Sequence, residues 1–384
     1  MILVMLQCGI FSACQQAEVQ DIKTAAERTG QYLPVLEGKN CAVTANHSSA
    51  IGRVHLVDTL INAGIMIKKI FSPEHGYSGI IADGISISNT TDRKGIPVIS
   101  LYGHKKKPSA DDLKDIDIVI YDIQDVGVRF YTYISTLHYV MEACAENHIP
   151  LLILDRPNPN GFYVDGPVLD PAFQSFVGMH PIPVVYGLTP AELALMINGE
   201  GWLKNGLQCE LHIVHCENYT HHSHYRLPIN PSPNLRNMEA VYLYPSLAFF
   251  EGTVMNVGRG TPYPFQVFGS PDYPLKEFSY IPQASALNIN PVHKGLLCYG
   301  KDLRGLSLET LGSMKHINLS WLIETYRLMN KTGFFTAYMN NLAGTDALQK
   351  QIEAGWDDVK IRESWKPGLE QYRKMREKYL LYPD

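Results

Sequence analysis

The chain has 384 residues, 45% of them hydrophobic and 18% charged, with a formal net charge of −5. That length exceeds what one hydrophobic core ordinarily serves, so two domains are expected, and the composition excludes a disordered chain. The mild acidity gives no footprint for nucleic acid; Lys105-Lys106-Lys107 is too short a run to supply one and reads as a solvated loop.

Met1 to Ile10 is mostly apolar and is followed by Phe11-Ser12-Ala13-Cys14. Small residues before a cysteine resemble a bacterial lipobox, with Cys14 as the lipid attachment point, although no Lys or Arg precedes the apolar run. Residues 1–29 are therefore expected to be a signal segment and polar tether, and the protein a periplasmic, membrane-anchored lipoprotein. Apart from it, no stretch is long and apolar enough to span a bilayer.

From Cys41 the pattern alternates. Cys41–Asn46 reads as a strand, His55–Ala63 as a helix closed by Gly64, and Ile65–Phe71 as a strand, which makes one βαβ unit. Pro97–Leu101 is a short strand, Ser109-Ala110-Asp111-Asp112 a helix start, Asp117–Tyr121 a strand, Thr132–Asn147 a helix and Leu151–Asp155 a strand. Thr189-Pro190-Ala191-Glu192 is a capping box opening a helix that stops at Gly199, and Leu211–His215 is a further strand. Strands and helices alternating at this spacing predict an α/β fold with a mostly parallel, Rossmann-like sheet over residues 30–245. A Pro-, Asn- and aromatic-rich stretch from Tyr225 to Pro271 marks the junction to a smaller α+β domain, residues 246–384, with helices expected at Leu319–Met329, Thr345–Ala354 and Leu369–Tyr379.

Three strands empty their carboxyl ends into chemistry, where open α/β sheets bind ligands. Ile65–Phe71 runs into Glu74 and His75; the Asp117 strand runs into Asp122, Gln124, Asp125, Arg129, Tyr131 and Tyr133; Leu151–Asp155 runs into Arg156, Asn158 and Asn160. Glu74, on a turn beside apolar strands, suits a general acid that stays protonated near neutral pH, and Asp122 or Asp125 would be its second carboxylate. A DxxD on a loop could instead cap the following helix or bond the loop, and no acidic cluster makes a metal site of it. The tyrosines, with Tyr102, offer phenols and ring faces to a sugar. Asn234 sits on a Pro-rich turn, and Gly258-Arg259-Gly260-Thr261 resembles an anion-binding turn. His221, His222 and His224 read as solvated loop histidines. Five scattered cysteines, Cys41, Cys144, Cys209, Cys216 and Cys298, read as buried thiols rather than a disulfide framework. No GxGxxG or GxxxxGK[ST] is present, so no nucleotide is expected, and without GxSxG there is no α/β-hydrolase elbow; with no metal-ligand spacing either, no cofactor or metal is expected.

Six blocks in order carry a family resemblance: FSPEHG at Phe71–Gly76, SLYG at Ser100–Gly103, YDIQDVGVRFYTYI from Tyr121, LDRPNPNG at Leu154–Gly161, PSPN at Pro231–Asn234, and the segment from Glu251 to Phe265 with EGT and GRGT. Together they resemble the bacterial exo-β-N-acetylmuramidase family. One departure is Asn46-His47-Ser48, where Asn-Gln-Thr is the expected turn. The resemblance implies removal of N-acetylmuramic acid from the non-reducing end of peptidoglycan fragments, in a cleft between a Rossmann-like domain and a smaller C-terminal domain. It raises Glu74 to leading general acid. Asn46, His47, His75, Gln124, Tyr131, Tyr133, Asn158, Asn234 and Glu251 are then expected around the muramyl saccharide, with Arg129, Arg156 and Arg259 competing for its lactyl carboxylate. A protein that binds cell-wall fragments without turning them over is the alternative.

Overall fold

The computed structural model describes residues 21–82, 85, 88–330 and 332–384. The chain runs through α1 (Thr29–Leu36), β1 (Asn40–Ala45), a hairpin of β2 (Ala50–Ile51) and β3 (Val54–His55), α2 (Leu56–Asn62) and β4 (Met66–Ser72). It continues through β5 (Thr90–Thr91), β6 (Pro97–Ser100), α3 (Ala110–Leu113), β7 (Ile118–Asp122), α4 (Tyr133–Glu146), β8 (Leu151–Leu154), α5 (Pro190–Gly199) and β9 (Leu211–Val214). Seven of these strands form one sheet in the order β5-β6-β4-β1-β7-β8-β9. All neighbours are parallel except the edge strand β5. The chain winds outward from β1 to β6 and then returns to the other side of β1 as β7. The boundary between β1 and β7 is therefore the topological switch point, where a crevice opens at the carboxyl ends of the strands.

Burial on both faces explains the sequence of these strands. Every residue of β7, IVIYD, is buried, as are five of the six of β1. Cys41, Val43 and Ala45 pack with Ile70, Ile118 and Ile120 against α1 and α2. The alternate residues Ala42, Phe71, Val119 and Tyr121 enter a larger cluster that includes α4 and α5 and reaches Leu311, Ile361 and Trp365. The first and second halves of the molecule thus share one core.

The second half contains α6 (Met238–Leu247), β10 (Val267–Ser270), β11 (Ser279–Tyr280), β12 (Cys298–Asp302), α7 (Leu308–Ser313), α8 (Ser320–Met329), α9 (Tyr338–Ala343), α10 (Ala347–Glu353) and α11 (Asp358–Arg376). Its three strands form an antiparallel sheet in the order β10-β12-β11. The expected junction at 245/246 falls inside α6, which carries Pro245 in its last turn.

Three expectations are corrected. Residues 23–29 are not tether: Lys23 pairs with Glu217 and Ala25 and Ala26 are fully buried. Residues 1–20, with the lipobox, lie outside the described residues. His221 is buried and pairs with Glu192 at 3.0 Å, because the loop that carries it folds under the carboxyl-terminal strap. The last long helix begins at Asp358 rather than Leu369 and carries Pro367 and Gly368 within it. The five cysteines are free and buried.

Beneath the crevice lies one buried ion pair. Asp122 ends β7 with no exposed surface, and Arg156 grips it through two nitrogens, Nη2 lying 2.9 Å from Oδ2. Removing one partner strands the other charge, so Arg156→Met should lower stability by about 3–5 kcal/mol in chemical denaturation.

Candidate active site

Where the strands end, the expected residues divide into two groups. One group stitches the loops. Asn46 Oδ1 accepts from Ser48 N at 2.9 Å and from Ser48 Oγ at 2.6 Å, and Ser49 Oγ donates to the Asp122 carbonyl, so the turn after β1 is tied to the end of β7. His47 donates to the Asn230 carbonyl at 2.8 Å and packs on Gly79, where an added Cβ would lie 1.9 Å from the ring. Gln124 donates to the Asp125 and Pro157 carbonyls, both at 2.8 Å. Asn158 donates to the Leu188 carbonyl and caps Asn160 N; it leaves no room for a side chain at Gly127, which turns through φ 74°. These residues, with Asp122 and Arg156, lie outside the pocket wall and shape it from behind.

Asp125 and Arg129 also lie behind the wall. Asp125 accepts from Gly127 N at 2.6 Å and from the Tyr186 hydroxyl, and burial pushes its carboxyl up to about 7. Arg129 has no exposed surface and, among the described residues, no carboxylate pairs with it; it donates to the carbonyls of Pro167, Ile182, Leu342 and Ala343 at 2.6–3.1 Å. Burial pulls its guanidinium down to about 9, which still leaves it charged at neutral pH. Asp125 as second catalytic carboxylate and Arg129 as reader of the substrate therefore do not match their positions. The same holds for Asp122 and Arg156, which are spent on each other.

The second group lines a pocket of about 330 Å³ at the carboxyl ends of β4, β6 and β7, closed from the far side by the second half of the chain. Glu74, His75, Tyr131, Tyr133, Asn234, Glu251 and Arg259 are all in its wall. Glu74 comes from the turn after β4. Its Oε2 accepts a 2.6 Å hydrogen bond from Thr132 Oγ1 at the start of α4. His75 has φ 67°, a left-handed backbone that a side chain rarely adopts, and its Nδ1 faces the Ile81 carbonyl at 2.8 Å. Phe265, across the pocket, has φ 57°. Such residues cost on the order of 1–3 kcal/mol each and collect at functional sites.

The floor is aromatic. Tyr131 and Tyr133 meet edge to face at 4.7 Å, and Tyr131 donates to the Pro231 carbonyl at 2.8 Å, which seats the PSPN turn against them. Asn234 on that turn accepts from Asn288 at 3.1 Å. On the far wall Arg259 Nε donates to Glu251 Oε1 at 2.6 Å and the guanidinium lies 5.0 Å from the Phe265 ring centre. Gly258 and Gly260 flank it with φ 79° and 81°, and a Cβ on Gly258 would come within 2.5 Å of the Tyr263 carbonyl. The tight turn is what presents Arg259 to the pocket. Among the described residues no group of His, Cys, Asp and Glu is arranged to hold a metal.

Sequence reasoning passed over Thr132, Phe176, Tyr244 and Tyr338, which also line the pocket. Thr132 stood inside the densest motif block and could have been found there. Tyr338, at the first turn of α9, has no local signal; only the fold brings it to the site.

Asp125 gives a test of this reading of the interior. Its folded-state carboxyl titrates near 7 against an ordinary 3.8, so between those values the folded protein holds a proton that the unfolded chain has released. That stabilising contribution is present at low pH and is lost as pH rises. Relative to wild type, Asp125→Asn should gain stability steadily from about pH 4 to about pH 7 and stay level above, measured by denaturation across that range.

Comparison with known proteins follows the same division of the chain. Family models described as the N-terminal and C-terminal parts of the exo-β-N-acetylmuramidase NamZ match residues 41–239 and 242–382. The peptidoglycan β-N-acetylmuramidase NamZ of Bacillus subtilis (strain 168) is 35% identical over 398 residues, covering 97% of this chain and 95% of its own. Two crystal structures of DUF1343 family proteins from Bacteroides fragilis NCTC 9343 are similar throughout. One has a TM-score of 0.89 at 45% identity, over 95% of this chain and all of that one. The other has a TM-score of 0.81 at 27% identity, over 94% and 99%.

Proposed function

Since the chain belongs to the exo-β-N-acetylmuramidase NamZ family and is a glycoside hydrolase of peptidoglycan fragments, we propose that it releases a terminal N-acetylmuramic acid in the pocket of Glu74, with Glu74 as the general acid. The observation that carries this reading is the Thr132–Glu74 hydrogen bond at the pocket wall. The hydroxyl fixes the carboxyl of Glu74 at the wall of the pocket, where an acid can hand its proton to the leaving glycosidic oxygen.

The partner of that acid is not Asp122 or Asp125, which are held behind the wall. Glu251 is in the wall but is engaged by Arg259. The substrate's acetamido carbonyl then attacks the anomeric carbon as the glycosidic bond breaks and Glu74 protonates the leaving oxygen. The Glu74 carboxylate afterwards takes a proton from the water that opens the resulting ring. Such a double displacement retains the β configuration, and an α-configured first product, read by NMR, would contradict it.

Of the three arginines expected to compete for the lactyl group, Arg259 is the one in the pocket wall. Its guanidinium supports selection of N-acetylmuramides over N-acetylglucosaminides, since the analogue without the carboxylate leaves the cation less well satisfied. The apolar segment before Cys14 supports a lipid-anchored, periplasmic protein; this rests on the sequence alone, and palmitate labelling of wild type against Cys14→Ser tests it.

Glu74→Gln should lower kcat on a chromogenic N-acetylmuramide by about a hundredfold or more while substrate still binds. A binder without turnover would show no release even in the wild type. Thr132→Val should lose roughly tenfold in kcat, and Thr132→Ser should restore it. A folded Arg259→Ala variant should lose about ten- to a hundredfold of the preference for muramide over glucosaminide, compared as a ratio of kcat/KM values.

A further inference from the structure

The function described so far accounts for the terminal sugar and leaves the Lys105-Lys106-Lys107 run unexplained. The structure separates these three lysines. Lys105 pairs with Asp112, and Lys107 pairs with Glu142 at 2.8 Å and Glu146 at 2.9 Å. Lys106 instead places its ammonium 4.3 Å from the centre of the Phe176 ring, and among the described residues no carboxylate pairs with it. Phe176 is part of the pocket wall. Its segment is fixed by a bridge between Ser175 and Gly178 and by Ser135 Oγ donating to the Phe176 carbonyl at 2.7 Å.

We propose that this side of the pocket mouth is a leaving-side subsite for a saccharide that carries a carboxylate, with Tyr102 as its contact surface and Lys106 as its cation. The proposal rests on the assignment of Glu74 as general acid. An acid that protonates the leaving oxygen must stand on the leaving side of the bond it cleaves. Strands β4 and β6 are paired with Ser72 beside Ser100, so Glu74 and Tyr102, each two residues further on, emerge together at the mouth. Tyr102 meets Phe176 at 6.1 Å between ring centres, and the Lys106 ammonium rests on the same Phe176 ring. In a glycan of alternating sugars the first leaving unit, a neutral N-acetylglucosamine, meets Tyr102. The second is again muramyl, and its lactyl carboxylate is assigned to the cation that shares the Phe176 ring with Tyr102. A lysine seated on a ring face can still receive such an anion, whereas the charge of one paired with carboxylates is already compensated.

The test compares kcat/KM on two defined substrates of the full protein at low salt: the muramyl-glucosamine disaccharide, and the tetrasaccharide whose leaving trisaccharide contains a second muramyl residue. A partly exposed ion pair contributes up to about 1 kcal/mol, so the tetrasaccharide should be favoured by about three- to fivefold, and that advantage should shrink at high salt. Lys106→Gln should bring the ratio close to one and Lys106→Arg should keep it. Phe176→Leu, which removes the ring that seats the ammonium, should reduce it. A wild-type ratio of one, or an undiminished ratio in folded Lys106→Gln, overturns the subsite while leaving the muramidase reading intact. No turnover of either substrate by the wild type overturns both.

Discussion

A guanidinium buried without a carboxylate has to be neutralised by carbonyl dipoles, and in this molecule that requirement decides where the two halves of the chain meet. Arg129 leaves the loop after β7 and collects carbonyls from the 167 and 182 segments and from the last turn of α9. The carbonyl end of a short helix carries partial negative charge, which is why Leu342 and Ala343 can serve a cation. Gly344 follows with φ 69°, and a Cβ there would lie 2.6 Å from the guanidinium. The same helix starts at Tyr338, in the pocket wall. One buried cation thus fixes the distance between the sheet that supplies Glu74 and the helix that closes the pocket.

The crevice is organised by where charge is allowed to be satisfied internally. Asp122 with Arg156, and Asp125 with Tyr186, have their partners in the interior and carry the loops. Glu74 is held by a neutral hydroxyl, and Glu251 and Arg259 hold each other at the wall. Position, rather than the kind of partner, separates the carboxylates in the pocket wall from those that hold the loops together.

The parallel sheet was legible because its strands are continuous apolar runs, and the helices that cover it carry caps such as Thr189 and Ser109. The site's first half was legible because the strand ends are chemically dense. That density could not tell pocket from scaffold: Asp122 and Glu74 both follow a buried strand, and only the tertiary position of Arg156 distinguishes them. Arg129 shows the limit most clearly, since nothing local announces that its partners will be carbonyls from residues 342 and 343. The short helices α6 and α9 went unseen for a different reason. Pro245 and the polar run before Gly344 give weak helical signals, and packing on the shared core overrides them.

The left-handed backbones of His75 and Phe265 bear on how this protein can change over generations. At most such positions glycine is an easy stabilising replacement, because it removes the steric penalty at no loss of contacts. Here both positions supply side chains to the pocket wall, so the replacement that relaxes the backbone also erases part of the surface that meets the sugar. Variation toward a hardier fold and variation toward a better catalyst therefore collide at these two residues, and heat-tolerant descendants of the chain would have to gain their stability elsewhere.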